Sequence, residues 1–466
     1  MRPILYTLTS PLHGEMAPDP RQEPFIRELE AALGTTFDCR GDASFGGPAS
    51  SLGGPASSFA GLTGESPTLI YIRTGGTEGL FVERVRAAGL IPEPDSHPVP
   101  GTGPVFRLLA SGQSNSLAAA MEILSWLQQR GLPGEILYGS PAAIAARIRA
   151  FGAPAGAPAA LPGEVPGTER SEILRQVLDD RRRILEGKRF GVIGRPSDWL
   201  ISSGVDYTAA REHLGAELVD IPIEELVAEA RKLGPEKADF RATPARAAGG
   251  RHEIGPIPGQ PTRLKPLNEP KYGRKIDAED WHGALAIYEA LKVLAARYRL
   301  DGLTLRCFDL LTALHNTGCL ALARLNAEGV TATCEGDIPA MLSMAVARAL
   351  TGRSSFQVNL SRIEGDRLLF AHCTVPLDIV RDYCYDTHFE SGIGVAIHGE
   401  LPEGPVTLFK ISPDFRRVFR REARLVANPY GDNLCRTQVV VEAPGAAAYF
   451  LQEPIGNHHI IIPGKL

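Results

Sequence analysis

Short apolar runs alternate with amphipathic stretches over the first three quarters of the chain. Residues 4–9, 68–72 (TLIYI), 105–109 (VFRLL), 189–193 (RFGVI), 217–221, 303–308 and 330–333 read as strands, apolar enough to be buried on both faces. Between them, residues 24–33, 80–88, 117–129, 207–214, 223–233, 278–298, 317–327 and 338–350 carry helical periodicity. Strands alternating with helices at this spacing predict parallel, doubly wound sheets. After Gly352 the texture changes. Short β-rich runs at 355–360, 367–372, 394–398, 406–411, 422–426, 437–441 and 459–462 are separated by turn signals such as EGD and PEG, the spacing of an antiparallel sandwich or barrel. The predicted fold class is α/β: two doubly wound α/β domains followed by a mostly antiparallel β C-terminal domain.

Three stretches break the rhythm. Residues 41–62 hold a Gly/Pro/Ala/Ser insertion in which GGPASS occurs twice, a composition that cannot bury enough apolar area to order itself. Residues 151–167 (FGAPAGAPAALPGEVPG) read as a linker before a charged helical stretch at 169–186, and residues 242–275 lack periodicity. The expected units are therefore residues 1–165, residues 166–352 and residues 353–466.

Composition narrows the class of function. The chain has 466 residues, 44% hydrophobic and 22% charged, and a net charge of −5 without a basic block, which argues against nucleic acid as a partner. No run reaches the length of a membrane span, and the apolar start of the chain is too short and interrupted for a signal peptide. The seven cysteines form no CxxC pair, which fits core packing in a reducing cytoplasm.

The stretch most suggestive of chemistry is residues 329–360. A β-branched strand runs into Cys334-Glu335-Gly336-Asp337 and then a helix, so Glu335 sits at the carboxyl end of a strand, where open α/β sheets expose ligand-facing groups. Asp337 is placed either as N-cap of that helix or as a catalytic acid. Five of the eleven histidines (His372, His388, His398, His458, His459) fall in the last quarter with Asn359 and Glu390, and oxygen and imidazole donors together suit Mn, Fe, Co, Ni or Zn. Trp199 follows a predicted strand, where its ring either stacks on a sugar or plugs the sheet end. The TGGTEG turn at 74–79 reads as a tight βα turn or a phosphate cradle, and Arg416, Arg417, Arg420 and Arg421 as a solvated segment or an anion site.

From about residue 303 onwards, CEGD, AHCT (371–374), HFESG (388–392), GPVTLFKI (404–411), CRTQVVV (435–441) and GNHH (456–459) occur in an order that resembles the L-fucose isomerase family, with L-arabinose isomerases more distant. The resemblance implies two flavodoxin-like α/β domains, a β C-terminal domain, a small-molecule sugar substrate, a divalent ion (typically Mn2+) and a homo-oligomeric trimer or hexamer. It implies an aldose–ketose isomerase working through a cis-enediol. The metal ligands carried over are Glu335, the residue at 359, and His458 or His459. Glu335, with Asp337 or Glu390, would move the proton, and Trp199, His372 and His388 are the sugar-binding candidates. The family has aspartate where this chain has Asn359, an amide that ligates through its oxygen but carries no charge. The alternative is a catalytically impaired sugar-binding or regulatory homologue.

Overall fold

The computed structural model describes residues 2–10, 19–41, 68–90, 104–151, 168–169, 183–237, 276–431 and 433–466. The GGPASS repeats, nearly all of the linker at 151–167, most of the charged stretch at 169–186 and the segment at 242–275 lie outside the described residues. Where that charged stretch is described it is not helical: Thr168–Glu169 form a two-residue strand and residues 183–187 form turns.

The first sheet contains β1 (Ile4–Leu8), β2 (Asp38–Gly41), β3 (Thr68–Ile72), β4 (Phe106–Ala110) and β5 (Gly134–Leu137). All its pairings are parallel and the order is β2-β1-β3-β4-β5, the doubly wound order with its switch point between β1 and β3. Every residue of β1 and β3 is buried, as their unbroken apolar runs require.

After β6 (Thr168–Glu169), a second parallel sheet holds β7 (Arg189–Ile193), β8 (Glu217–Ile221), β9 (Gly302–Leu305) and β10 (Thr331–Cys334), in the order β10-β9-β7-β8. Its switch point lies between β7 and β9. The helix Ile338–Thr351 follows β10; Asp337 caps its start, accepting from the Ala340 N–H at 2.6 Å, and Gly352 ends it at φ 69°. Burying Ile338, Met341, Leu342 and Val346 completely stabilises this helix by roughly 1.5–3 kcal/mol per side chain.

The last quarter closes into a barrel. Strands β11 (Phe356–Glu364), β12 (Arg367–His372), β15 (Gly404–Ile411), β16 (Val418–Ala427), β17 (Thr437–Glu442) and β18 (His459–Pro463) pair antiparallel, and the β15–β16 pairing joins the ends; β13 (Asp382–Asp386) and β14 (Ala396–Glu400) form a separate hairpin. β6 lies on the β16 edge. The alternation of β18 divides the barrel between two cores: Ile461 joins Phe356, Val358 and the first sheet's packing, whereas Ile460 and Ile462 join Met341, Met344 and Ala345 of the second unit.

Of the arginines at 416–421, Arg420 and Arg421 lie in β16 and donate to the Leu466 and Pro444 carbonyls, whereas Arg416, exposed, and Arg417 precede the strand. Five cysteines are buried and two half-buried, and none forms a disulfide. No described helix is long and apolar enough to cross a membrane.

Candidate functional site

The switch points of both parallel sheets face one cavity of about 330 Å³. Ser10 beyond β1, Gly75 and Gly76 beyond β3, and Asn115 beyond β4 reach it from the first unit; Trp199 beyond β7, Phe308 beyond β9 and Glu335 beyond β10 reach it from the second. Asn359, Glu390 and Asn457 complete it from the last quarter of the chain. Its position is the one the topology dictates for a ligand.

Glu335 is held in a strained turn. Its φ is 65° and that of Gly336 is 70°, two consecutive left-handed residues. Only glycine fits at 336, where a Cβ would lie 2.4 Å from the Arg195 carbonyl oxygen. Hydrogen bonds from Gly336 N–H to Leu305 (3.0 Å) and from Ser197 N–H to Glu335 (2.9 Å) pin the turn between β7 and β9. The carboxylate then accepts from the Trp199 indole at 2.5 Å, and its other oxygen stands 3.4 Å from His458 Nε2 and 3.8 Å from His372 Nε2.

Behind His458 stands a wholly buried chain of charge. Asp337 Oδ2 pairs with His458 Nδ1 at 2.8 Å, and Asp337 Oδ1 lies 3.7 Å from Lys410 Nζ, a fully buried ammonium that makes no hydrogen bond. Burial pushes the Asp337 carboxyl up, but Lys410 and His458 overcome this and hold it below the usual range. Burial likewise opposes the charge on His458, yet Glu335 and Asp337 raise it to about 10. Glu335, despite burial, is held well below the ordinary carboxylate range by His458 and His372.

The donor atoms of Glu335, His372 and His458 all lie within 4.8 Å of one another. A carboxylate with two imidazoles is a donor set for Mn, Fe, Co, Ni or Zn. Two orphans fit this use: His458 Nε2 and the Asn359 amide oxygen are buried without a hydrogen-bond partner. Asp337 on the far nitrogen of His458 is the outer carboxylate that usually orients a ligating histidine. The residues present therefore fit a divalent ion.

The residues singled out from the sequence fall into three groups. Glu335, Asn359, Glu390 and Trp199 line the cavity, and His372 and His458 converge on Glu335. Asp337 does not reach the cavity wall; it caps its helix and holds His458. His459 and His388 are not on the cavity wall. His459, on the opposite face of β18 from His458, bonds Tyr449 Oη at 2.9 Å and the Asn457 carbonyl at 3.0 Å among Phe419, Tyr449 and Phe450, and burial depresses it to about 3. His388 bonds Ser391 and packs edge-on behind Phe308 at 5.5 Å.

Glu390 is raised to about 8 by burial and by Glu335, with Asn115 donating to it at 3.1 Å. Residues not singled out also matter. Glu78 and Asn457 line the cavity. Glu122, fully buried, accepts from Ser202 N–H (2.7 Å), Ser203 Oγ (3.2 Å) and Asn457 N–H (2.8 Å), joining all three units beside His458.

No family model matches the chain. It is similar to sulfoquinovose isomerase of Priestia aryabhattai and of Priestia megaterium (strain ATCC 12872 / QMB1551), 25% identical to each over 179 residues that make up 36% of this chain and 40% of each relative. The similarity is distant, is to a sugar isomerase, and spans well under half the length of those relatives.

Proposed function

We propose that the protein is a metal-dependent aldose–ketose isomerase that works through a cis-enediol. The observation that carries this reading is the convergence of Glu335, His372 and His458 beside a cavity at the switch points of both sheets. The similarity to a sugar isomerase agrees with it.

Glu335, His372 and His458 would hold the divalent ion, Mn2+ by resemblance, with the Asn359 amide oxygen as a neutral fourth donor. When bound, such an ion supplies Lewis-acid stabilisation to the developing enediolate oxygens. The chain's own residues do the rest. Glu390, raised to about 8, stands near the pKa at which a carboxyl both takes and returns a proton at working pH, and carries it between C2 and C1. Trp199 spends its N–H on Glu335 and sets its ring edge against Phe308 at 4.9 Å, so these rings form the platform for the sugar. A homo-oligomer of three or six chains, by resemblance, and a reducing compartment, in keeping with seven free cysteines, complete the reading.

A second reading, a sugar binder without turnover, draws on Asn359, which leaves the ion one anionic ligand short. Metal analysis of the purified protein and a panel of aldoses in D2O decide between them. The isomerase reading expects about one ion per chain, ketose formation, deuterium at C2 of recovered aldose, and loss of all three in Glu335→Gln with an unchanged circular dichroism spectrum. Deuterium in ketose or recovered aldose supports the enediol route; sugar binding without ketose supports the binder.

A further inference from the structure

The cavity walls carry a one-sided set of unmet hydrogen bonds. Glu78 Oε2, Asn115 Oδ1, Asn359 Oδ1 and Asn457 Oδ1 are buried without partners, and all four belong to cavity-lining residues. All are acceptors. Asn115 is oriented by its own amide, which donates to Glu390, so its oxygen is left over by construction. Among the described lining residues there is no lysine, arginine or histidine.

Glu78 stands out within this set. It is 1% exposed, opens the helix Glu78–Ala87, and has no role in the proposed proton transfer or metal site. Burial pushes its carboxyl well above the usual range, and nearby Glu122 and Glu335 add to that, against the pull of the backbone amides at the helix start. A buried acceptor left without any partner costs about 1–3 kcal/mol, so a ligand that brings donors to these oxygens gains binding energy there, with Asn359 also able to face the ion.

We propose that Glu78 is a specificity residue: its buried carboxyl binds a hydroxyl of the sugar, and the acceptor wall around it turns away sugars bearing a sulfonate or phosphate. A polyol brings several O–H donors to a wall of oxygens. A sulfonate or phosphate brings only acceptors and negative charge, next to Glu335, and apart from the ion itself meets no cation on the described walls. The word "sugar" here rests on the isomerase reading; the preference for donors over anions does not.

The test therefore measures binding separately from turnover. Equilibrium binding to the metal-loaded protein compares a neutral hexose with the same hexose sulfonated at C6. The neutral sugar is expected to bind at least tenfold more tightly, and Glu78→Met, which keeps the volume but removes the hydrogen bond, is expected to weaken neutral-sugar binding at least tenfold. Metal content and melting temperature stay at wild-type values, and Glu78→Gln, which retains an acceptor oxygen, restores binding to within about threefold. Tighter binding of the sulfonated sugar by wild type, or Glu78→Met binding within twofold of wild type, overturns the proposal. If neutral sugars bind selectively but none is isomerised, the isomerase reading fails while this one stands.

Discussion

Replacing Asp337 by asparagine separates two jobs that one carboxylate performs. Asparagine caps a helix as well as aspartate, so the contact with Ala340 N–H and its contribution of about 1 kcal/mol remain. What disappears is the negative charge 3.7 Å from Lys410 Nζ, worth about 4.5 kcal/mol at an effective dielectric of about 20. Leaving that ammonium buried and alone should cost about 3–5 kcal/mol of stability. The second loss is at His458. The Asp337 carboxylate accepts the Nδ1 proton and so presents Nε2 as a free donor, whereas an amide at 337 can donate to Nδ1 and put the proton on Nε2. Metal affinity should fall tenfold to a hundredfold, the usual effect of removing such a partner. Because Asp337 is held below its ordinary range, its contribution is present above about pH 4 and lost as pH falls through the folded value, so the variant's acid limb should be flatter. Titration with Mn2+, alongside urea unfolding at several pH values, measures both effects. Lys410→Met added to Asp337→Asn should restore stability but not metal affinity. Metal binding within threefold of wild type in Asp337→Asn would refute the reasoning.

Glu390→Gln should lower kcat by about 10²–10⁴ with the metal retained. In wild type kcat/KM should rise with pH to a midpoint at or below about 8, and the variant should lack that limb; an unchanged pH profile removes Glu390 from the proton-transfer role. His458, raised to about 10 in the metal-free protein, must shed its proton to ligate, so metal uptake at pH 7 should release about one proton per chain and affinity should climb with pH. Calorimetry in buffers of different ionisation enthalpy counts that proton, and zero release would place the metal elsewhere. Asn359→Asp should tighten metal binding at least tenfold while lowering the melting temperature of the metal-free protein, since a further carboxylate is then buried near Glu335 and Glu390. No change in either would mean the oxygen at 359 faces away from the ion.

The strands and helices most visible in the sequence were those whose burial is uniform or cleanly periodic. TLIYI and RFGVI became β3 and β7, and the long helix was expected at the residues it occupies, Ala278–Tyr298. Elements with weak patterning were missed. GEIL is short, DYCYD lacks a continuous apolar face, and the helices Pro141–Ala150 and Ala446–Gln452 are built largely of alanine and mixed residues. In the site, Glu335 was visible because a strand, a glycine turn and a capped helix announce it locally. The choice between His458 and His459 needed the pleat of β18, and the nearness of His372 to Glu335 needed the barrel to be closed.

The remaining site residues had a signal of another kind, a lone charge inside an apolar run. Glu122 is the one acid in SLAAAMEILSWLQQ, and Lys410 the one cation in GPVTLFKI. A charge so placed costs several kcal/mol unless it is paired, so its presence announces a partner from elsewhere in the fold. For Lys410 that partner is Asp337. For Glu122 the partners are the amides of Ser202 and Asn457, which belong to the second unit and to the segment leading into β18. The helix of the first unit thereby holds the backbone next to His458, and Gly456 passes so close that a Cβ there would lie 2.9 Å from the Glu122 carboxylate. A histidine placed by one unit's carboxylate, a second unit's capping aspartate and the barrel's own buried lysine moves if any of the three shifts. Docking of the first unit is thus a condition for assembling the Glu335–His372–His458 group, although that unit supplies none of its donors.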